Sequence, residues 1–166
     1  MVLIKWAGIV ILALAVIAII AIVAGQMGLL QGKPPADLGV KQGKLKGLSG
    51  TPNCVSSQAD LYPDHPQGRY SSIAPLALRG DGLTTIARLK AVVQSTANAK
   101  LITSEPDYLY AQYSTPLMKY VDDVEFWFDP ASNAIAVRSA SRLGQRDLEA
   151  NRKRIELVRA ALAAAP

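Results

Sequence analysis

The sequence predicts an α+β protein: an N-terminal transmembrane helix, then an antiparallel sheet of about four to five strands covered on one face by two helices. Three observations support this fold class. Residues 7–24 form an apolar run without a charge. Four strand-like segments then follow one another between residues 100 and 141, and consecutive strands with short connections pair antiparallel. Two segments with helical periodicity flank these strands.

The apolar run reads AGIVILALAVIAIIAIVA. Together with residues 25–30 it is long enough, at 1.5 Å per residue, to span a hydrocarbon core of about 30 Å. Lys5 and Trp6 precede it, as a charged end and an interfacial ring would. A cleaved signal peptide is the alternative, because small residues stand at positions 23–25, but its apolar region is normally only about 7–15 residues long. We predict an uncleaved anchor over residues 1–30.

Charges flanking the anchor give conflicting topology signals. Lys5 favours a cytoplasmic N-terminus, whereas four lysines after the anchor favour the reverse (Lys33, Lys41, Lys44, Lys46). A long domain after a first segment crosses the membrane largely regardless of charge. We therefore expect a single-pass protein of the bacterial inner membrane with its domain on the periplasmic side. The four lysines are either a solvated stretch or a means of attracting anionic lipid headgroups.

Composition divides the remaining chain. Residues 31–52 are rich in Gly, Pro and Lys and predict a basic linker. Residues 53–166 suffice for a single α+β domain. The net charge is +5, but aromatic content is only 6% and no nucleic-acid motif is present, so we expect no nucleic-acid partner. The chain has 1 cysteine, Cys54, which excludes an internal disulfide.

Within the domain, residues 53–72 predict an irregular segment, and residues 72–78 a short edge strand restricted by Pro75. Asp81 predicts a helix cap, followed by an apolar stripe ending near residue 95 (Leu83, Ile86, Leu89, Ala91, Val93). Strands are predicted over residues 100–104, 108–114, 121–129 and 134–141. A last helix over residues 147–164, capped by Asp147, completes the fold.

The last two strands predict their own register. If residues 130–133 form the turn, Phe126 faces Val137 and Val124 faces Ser139, on an apolar side that meets the helices. Glu125 then faces Arg138 on the other side, near Asp123 and Arg142. This charged cluster is interpreted either as plain salt bridges or as a ligand-binding face.

Asn151 falls within the apolar stripe of the last helix (Leu148, Ile155, Val158, Leu162). A buried amide needs hydrogen-bond partners, and Ser139 and Ser141 are the expected ones. Arg142, Arg146, Asp147 and Arg152 stand near this end of the core. Either a structural network or a site for a small polar or anionic ligand explains the pattern. The candidate ligand-binding residues are Asn53, Asp123, Glu125, Arg138, Ser139, Ser141, Arg142, Asn151 and Arg152.

No catalytic residue is identifiable from the pattern. Cys54 and His65 stand in an irregular stretch and are expected to be a buried thiol and a surface imidazole rather than a pair. One thiol and one imidazole are too few for a zinc site, so we expect no metal and no cofactor. Ser56 and Ser57 lack the glycines of a nucleophile elbow. Adjacent Asp122 and Asp123 point to opposite faces of a strand and cannot share a proton.

Four blocks resemble the domain of unknown function family 1499: PNCVSSQAD (52–60), IAPL (73–76), VDDVEFWFD (121–129) and VRSASRLGQRDLEANRKRIELVR (137–159). The resemblance runs from about Gly50 to Leu162. It implies no known activity, but members often carry an N-terminal export or membrane segment, and plant relatives are associated with the thylakoid lumen. This implies an extracytoplasmic domain. Relatives often have a cysteine before the first block, which residues 47–50 lack, so that disulfide is excluded here.

Three classes of function remain open. The first is a non-enzymatic module that contacts lipid through its anchor and binds a small polar or anionic ligand, or a membrane protein partner. The second is an enzyme of unrecognised type that uses Asp123 or Glu125 with Arg138 and Arg142. The third is a structural subunit of a membrane complex. A polar cleft with a perturbed carboxyl pKa favours the enzyme, whereas a large exposed apolar patch favours the subunit.

Overall fold

The computed structural model describes residues 2–165, and side-chain environments from Lys5 onward; Met1 and Pro166, the outer ends of the predicted anchor and domain, lie outside the described residues. The helices are α1 Val2–Gln26, α2 Gly68–Ser71, α3 Gly82–Ser95 and α4 Ala150–Ala164. The strands are β1 Cys54–Ser56, β2 Ala99–Ser104, β3 Tyr108–Ser114, β4 Val121–Asp129 and β5 Ala134–Ser141. A 3₁₀ turn covers Ala59–Leu61.

The α+β prediction is confirmed. The five strands form one antiparallel sheet in the order β1-β5-β4-β3-β2. The register counted from the turn is confirmed as well: Phe126 pairs with Val137, Val124 with Ser139, and Glu125 with Arg138. Helices α3 and α4 pack on the face that carries Phe126 and Val137, and together they enclose the main core.

Helix α1 is the apolar helix that the sequence predicts. Lys5–Gln26 is long and apolar enough to cross a membrane, with a mean hydropathy of 3.2, although a signal sequence would meet the same criteria. Every described position from Lys5 to residue 20 is exposed. From Ala21 the helix becomes partly covered, and Gly25 is buried.

Two predictions about the first strand were wrong. Residues 72–78 form only isolated bridges, Ser72 to Ser56 and Leu76 to Ile135. The outer strand is instead β1, which pairs with β5. All three β1 residues are buried, so the segment has no alternation of polar and apolar residues by which to identify it.

Helix α3 begins where the sequence predicts, because the Asp81 side chain accepts a hydrogen bond from the Thr84 amide at 2.8 Å. Its predicted stripe was partly wrong: Leu83 and Ala91 are exposed, whereas Val92 is buried. The helix begins with Gly82, and a Cβ there would lie 2.3 Å from the Phe128 ring. The close approach of helix and sheet therefore requires glycine.

Helix α4 begins at Ala150, three residues later than predicted. Leu148 and Glu149 have left-handed backbone conformations, with φ of 51° and 64°. Leu148 is 80% exposed, so its assignment to the apolar stripe was wrong. The Asp147 carboxylate nevertheless accepts hydrogen bonds from the amides of Glu149 and Asn151, at 3.1 and 2.9 Å. It organises the helix start from further upstream than an N-cap residue.

The chain after α1 packs on the domain. The Gln26 side chain donates to the carbonyls of Pro116 and Leu117 at 3.2 and 2.8 Å. Further on, Leu38 and buried Leu45 join an apolar cluster on the sheet face opposite the helices, with Tyr108, Tyr110, Trp127 and Ala136. We call residues 38–47 the covering segment. Part of the stretch predicted as linker thus shields the second face of the sheet.

Candidate functional site

The sheet separates the predicted site residues into two groups. Asp123, Glu125, Arg138 and Arg142 make their contacts on the face under the covering segment, which we call the outer cluster. Ser139, Ser141 and Asn151 meet between the sheet and α4, with the carbonyl of Asn53. Arg152 belongs to neither group, since its guanidinium donates to the Tyr70 carbonyl at 2.6 Å. The nine residues therefore do not form a single site.

The first half of the outer cluster is the predicted pair of Glu125 and Arg138. Glu125 Oε1 accepts from the Tyr108 hydroxyl and the Gly39 amide, both at 2.8 Å. Its Oε2 lies 3.8 Å from Arg138 Nη1, and neither atom has a hydrogen-bond partner among the described residues. Arg138 Nε donates to the Gly47 carbonyl at 3.1 Å. Both ends of the covering segment are thus bonded to this pair.

The second half of the outer cluster is a bidentate ion pair between Arg142 and Asp123. Arg142 donates to Asp123 through Nε at 2.8 Å and through Nη2 at 2.7 Å. The Tyr110 hydroxyl donates to the same carboxylate at 2.6 Å. Paired hydrogen bonds of this kind fix both groups in one geometry. The hydrogen bonds to Asp123 raise the pKa of Arg142 above its ordinary value.

Burial dominates the electrostatics of the outer cluster. It raises the pKa of Glu125, against the opposing effects of the Gly39 amide, Tyr108 and Arg138. Burial, together with Glu125, also raises the pKa of Tyr108. The charged side chains of the two pairs are at most 4% exposed. In the described conformation these four side chains are therefore shielded from solvent, and the covering segment bonds to Glu125 and Arg138.

The predicted burial of Asn151 is confirmed. Its side-chain carbonyl accepts from the Ser139 hydroxyl at 2.5 Å, and its amide donates to Ser141 Oγ and the Asn53 carbonyl, both at 3.0 Å. The Asp147 carboxylate accepts from the same amide at 2.8 Å. The end of the core between α4 and β5 is therefore polar and densely bonded. The Asn53 amide turns away and donates to the Gly144 carbonyl.

Arg154 is the member of this network that sequence reasoning missed. It donates to Asn151 Oδ1 at 2.8 Å and to Ser139 Oγ at 3.1 Å. It also pairs with Asp122 at 2.5 Å, and its guanidinium lies 5.0 Å above the Tyr113 ring. The signal was available, because Arg154 follows Asn151 by three residues and so shares its helix face.

Asp147 connects the network to the surface. Its carboxylate also accepts a hydrogen bond from the Tyr70 hydroxyl. Burial alone raises the pKa of Asp147, but the hydrogen bonds from Tyr70 and Asn151 outweigh it, and the net result is a lowered pKa. Burial and the Asp147 bond raise the pKa of Tyr70 to about 12. Asp147 therefore carries a negative charge at neutral pH, while Tyr70 keeps its proton.

An open cleft of about 770 Å³ lies beside Tyr70. Three separate segments of the chain line it, contributing Pro52, Gln67, Tyr70, Gln145, Arg146, Leu148 and Glu149. Neither Arg146 nor Glu149 has an ion-pair partner within residues 2–165. Leu148 and Glu149 both have left-handed backbone conformations, and such backbone strain is common at functional sites. Sequence reasoning missed the cleft, because its walls meet only in the folded chain.

The sequence offers two other pairs of candidate residues, Cys54 with His65 and Asp122 with Asp123. Cys54 is fully buried and His65 half-buried, and burial raises the pKa of the Cys54 thiol, which is the opposite of an activated nucleophile. Asp122 and Asp123 pair with arginines on opposite faces of the sheet, as alternation predicts. Within residues 2–165 there is no cluster of three or more His, Cys, Asp or Glu side chains suited to a metal ion.

Fold and site together define a small α+β domain that follows an N-terminal apolar helix and carries a polar cleft beside Tyr70. Residues 44–162 match the model of a family described as "Protein of unknown function (DUF1499)", and the chain belongs to this family. The resemblance found in the four sequence blocks is thereby confirmed. No curated protein and no solved structure matches the chain significantly.

Proposed function

We propose that this protein is a membrane-anchored binding module, and that its cleft takes a small polar ligand with an acidic group. The observation that carries the proposal is the cleft itself, about 770 Å³ in volume. It combines an exposed apolar side chain, Leu148, with a guanidinium and a carboxylate that form no ion pair within residues 2–165, those of Arg146 and Glu149. A few convergent polar groups in a concave site are typical of small-ligand binding.

The network behind the cleft supports this proposal. Asp147 holds Tyr70 on one wall and the amides of Glu149 and Asn151 on the other. The walls are therefore fixed before a ligand arrives, which lowers the entropic cost of binding. Arg146 is the natural partner for an acidic group, because a guanidinium donates two parallel hydrogen bonds to a carboxylate or phosphate. Glu149 would repel a ligand of high negative charge.

The enzyme alternative has less support. The carboxylates it requires, Asp123 and Glu125, are buried on the sheet face opposite the helices and accept hydrogen bonds from Tyr110 and Tyr108. Catalysis there would require residues 38–47 to move away. The binding proposal requires no such movement.

Ligand binding is tested by thermal unfolding of the full chain in lipid nanodiscs, with inorganic phosphate, succinate, glutamate and neutral glucose as probes. A bound ligand at 100 times its dissociation constant stabilises the folded state by about 2.7 kcal/mol. We expect one acidic probe to raise the midpoint and Arg146→Ala to abolish the shift. Arg88→Ala, which removes an arginine outside the cleft, is the control. The proposal fails if no acidic probe shifts the midpoint or if Arg146→Ala leaves the shift intact.

We further propose that α1 is retained and that the domain lies on the periplasmic side of a bacterial inner membrane. The packing of Gly25 and Gln26 against the domain supports retention, since cleavage after residue 25 would divide this contact. A Ser132→Cys variant places a thiol on an exposed turn, whereas the native thiol is buried. A membrane-impermeant maleimide should label this variant, but not wild type, in intact spheroplasts. Labelling that requires lysis would place the domain in the cytoplasm.

A further inference from the structure

The end of α1 is built into the domain at the β3–β4 loop, residues 115–120. A Cβ on Gly25 would lie 2.6 Å from the Met118 carbonyl oxygen, so helix and loop are in backbone contact. The Gln26 amide donates to two carbonyls of the same loop, those of Pro116 and Leu117. The loop is therefore held at a fixed depth relative to the end of the helix.

The length of α1 places this contact in the boundary layer of a bilayer. Lys5–Gln26 has 22 residues, which at 1.5 Å per residue exceed a hydrocarbon core of about 30 Å. The last turn of the helix therefore lies at the level where hydrocarbon meets headgroups. A side-chain amide is costly at that depth unless its donors are bonded. The loop carbonyls satisfy the donors of Gln26.

The loop carries the side chains that suit this layer. Leu117 is 56% exposed and Tyr120 is 40% exposed. A half-buried lysine, Lys119, lies between them in a left-handed conformation. Tyrosine and lysine are typical of membrane interfaces, where a polar tip reaches water from an apolar body. The loop is also internally fixed, because Thr115 bonds to Tyr120 through both its amide and its hydroxyl.

From this geometry we infer that the β3–β4 loop docks in the lipid interface beside α1, with Leu117 inserted among the acyl-chain carbons nearest the headgroups. The occupant of this surface is bilayer lipid. The domain then stands on the membrane in one orientation instead of swinging on a tether. Loop 142–149 follows β5 at the same end of the sheet, since Asp122 beside the loop pairs with Ser141. The proposed cleft therefore opens close to the membrane surface.

The inference rests on the proposed membrane anchor, so the test examines anchor and loop separately. Single cysteines replace Leu117 in the loop, Ile19 in the anchor and Leu83 as the control, and each carries an environment-sensitive fluorophore. Leu83 matches Leu117 in exposure, 53% against 56%. It lies near the turn at the other end of β3, about 20 Å away for a strand of seven residues. Buried Cys54 leaves the wild-type chain as the labelling blank.

The full chain is reconstituted in phosphatidylcholine–phosphatidylglycerol vesicles containing lipids with a nitroxide near the headgroup or deep in the acyl chain. We expect loss of Leu117-label fluorescence with the shallow nitroxide, loss of Ile19-label fluorescence with the deep one, and no loss at Leu83. A Leu117 label that remains as unquenched as the Leu83 label, while Ile19 is quenched, overturns the loop inference alone. An unquenched Ile19 label refutes the anchor. A Leu117 label shielded from water without nitroxide quenching identifies a protein contact and also overturns the inference.

Discussion

Replacing Asn151 by leucine tests whether the polar end of the core stabilises the fold. Asn151 is fully buried, and its side chain takes part in five hydrogen bonds, with Ser139, Ser141, Asp147, Arg154 and the Asn53 carbonyl. Leucine has a similar volume, so the change removes the bonds without leaving a large cavity. The expected loss of stability depends on what each partner retains.

All five partners keep another contact, but one of them loses the acceptor for a buried proton. Ser141 N–H still donates to the Asn53 carbonyl, the Asn151 backbone amide still donates to Asp147, and Arg154 keeps Asp122. Ser141 is only half-buried and can turn its hydroxyl towards water. The Ser139 oxygen keeps the hydrogen bond from Arg154, but its proton loses its acceptor, Asn151 Oδ1, and the residue is fully buried.

The cost of Asn151→Leu is the sum of the costs of these lost hydrogen bonds. A stranded buried donor costs about 1–3 kcal/mol, and a lost bond whose partners have alternatives costs about 0.5–1.5 kcal/mol at most. We expect Asn151→Leu to reduce the free energy of unfolding by about 2–4 kcal/mol, with a smaller loss when Ser139→Ala is added, because the stranded hydroxyl is then absent.

Urea unfolding of the full chain in detergent micelles, followed by Trp127 fluorescence, measures this loss. Trp127 is buried on the sheet, so its emission reports on domain unfolding. Leu157→Ala, an exposed change on the same helix, is the control and should stay within about 0.5 kcal/mol. A loss below about 0.5 kcal/mol for Asn151→Leu, equal to the control, would refute the role assigned to the network.

Three further changes test other parts of the fold by the same assay. Arg142→Ala leaves the buried Asp123 carboxylate without its cation and should cost about 3–5 kcal/mol; a loss below about 1 kcal/mol would contradict a buried pair. Gly82→Ala forces a methyl group into the Phe128 ring and should cost about 1–3 kcal/mol; wild-type stability would show that the helix shifts freely. Burial raises the folded-state pKa of Glu125, so the folded state holds its proton more tightly and wild type loses stability as pH rises above the ordinary pKa of 4.5. The free energy of unfolding of Glu125→Gln should therefore increase relative to that of wild type over this pH range. A difference in free energy of unfolding that does not change with pH would contradict the raised pKa.

The sequence predicts the centre of the sheet well, because strong local signals agree there. The turn at residues 130–133 and the alternation of β4 and β5 determine the register without any tertiary information. The pairing of Glu125 with Arg138, and of Asn151 with Ser139 and Ser141, follows from that register and from helical periodicity.

Errors occur where tertiary contacts override local pattern. Leu148 fits the helical stripe by spacing, but the chain there turns through two left-handed residues, and the Asp147 carboxylate binds the amides that follow. The β1 strand is too short to show alternation. The walls of the proposed cleft come from residues near positions 52, 70 and 146. No local sequence pattern predicts that these three segments lie together in the fold.

The covering segment shows how a stretch with linker composition can be part of a fold. Residues 38–47 have no hydrophobic periodicity, yet their Leu45 is buried, and the Gly39 amide and Gly47 carbonyl bond to Glu125 and Arg138. The buried charges supply hydrogen bonds that a polar, glycine-rich segment can use, whereas an apolar sheet face could not. The segment in turn shields these charges from water, although Glu125 Oε2 and Arg138 Nη1 lie 3.8 Å apart without a hydrogen bond among the described residues. The outer cluster thus explains why residues 38–47 are ordered on the sheet despite their linker-like composition.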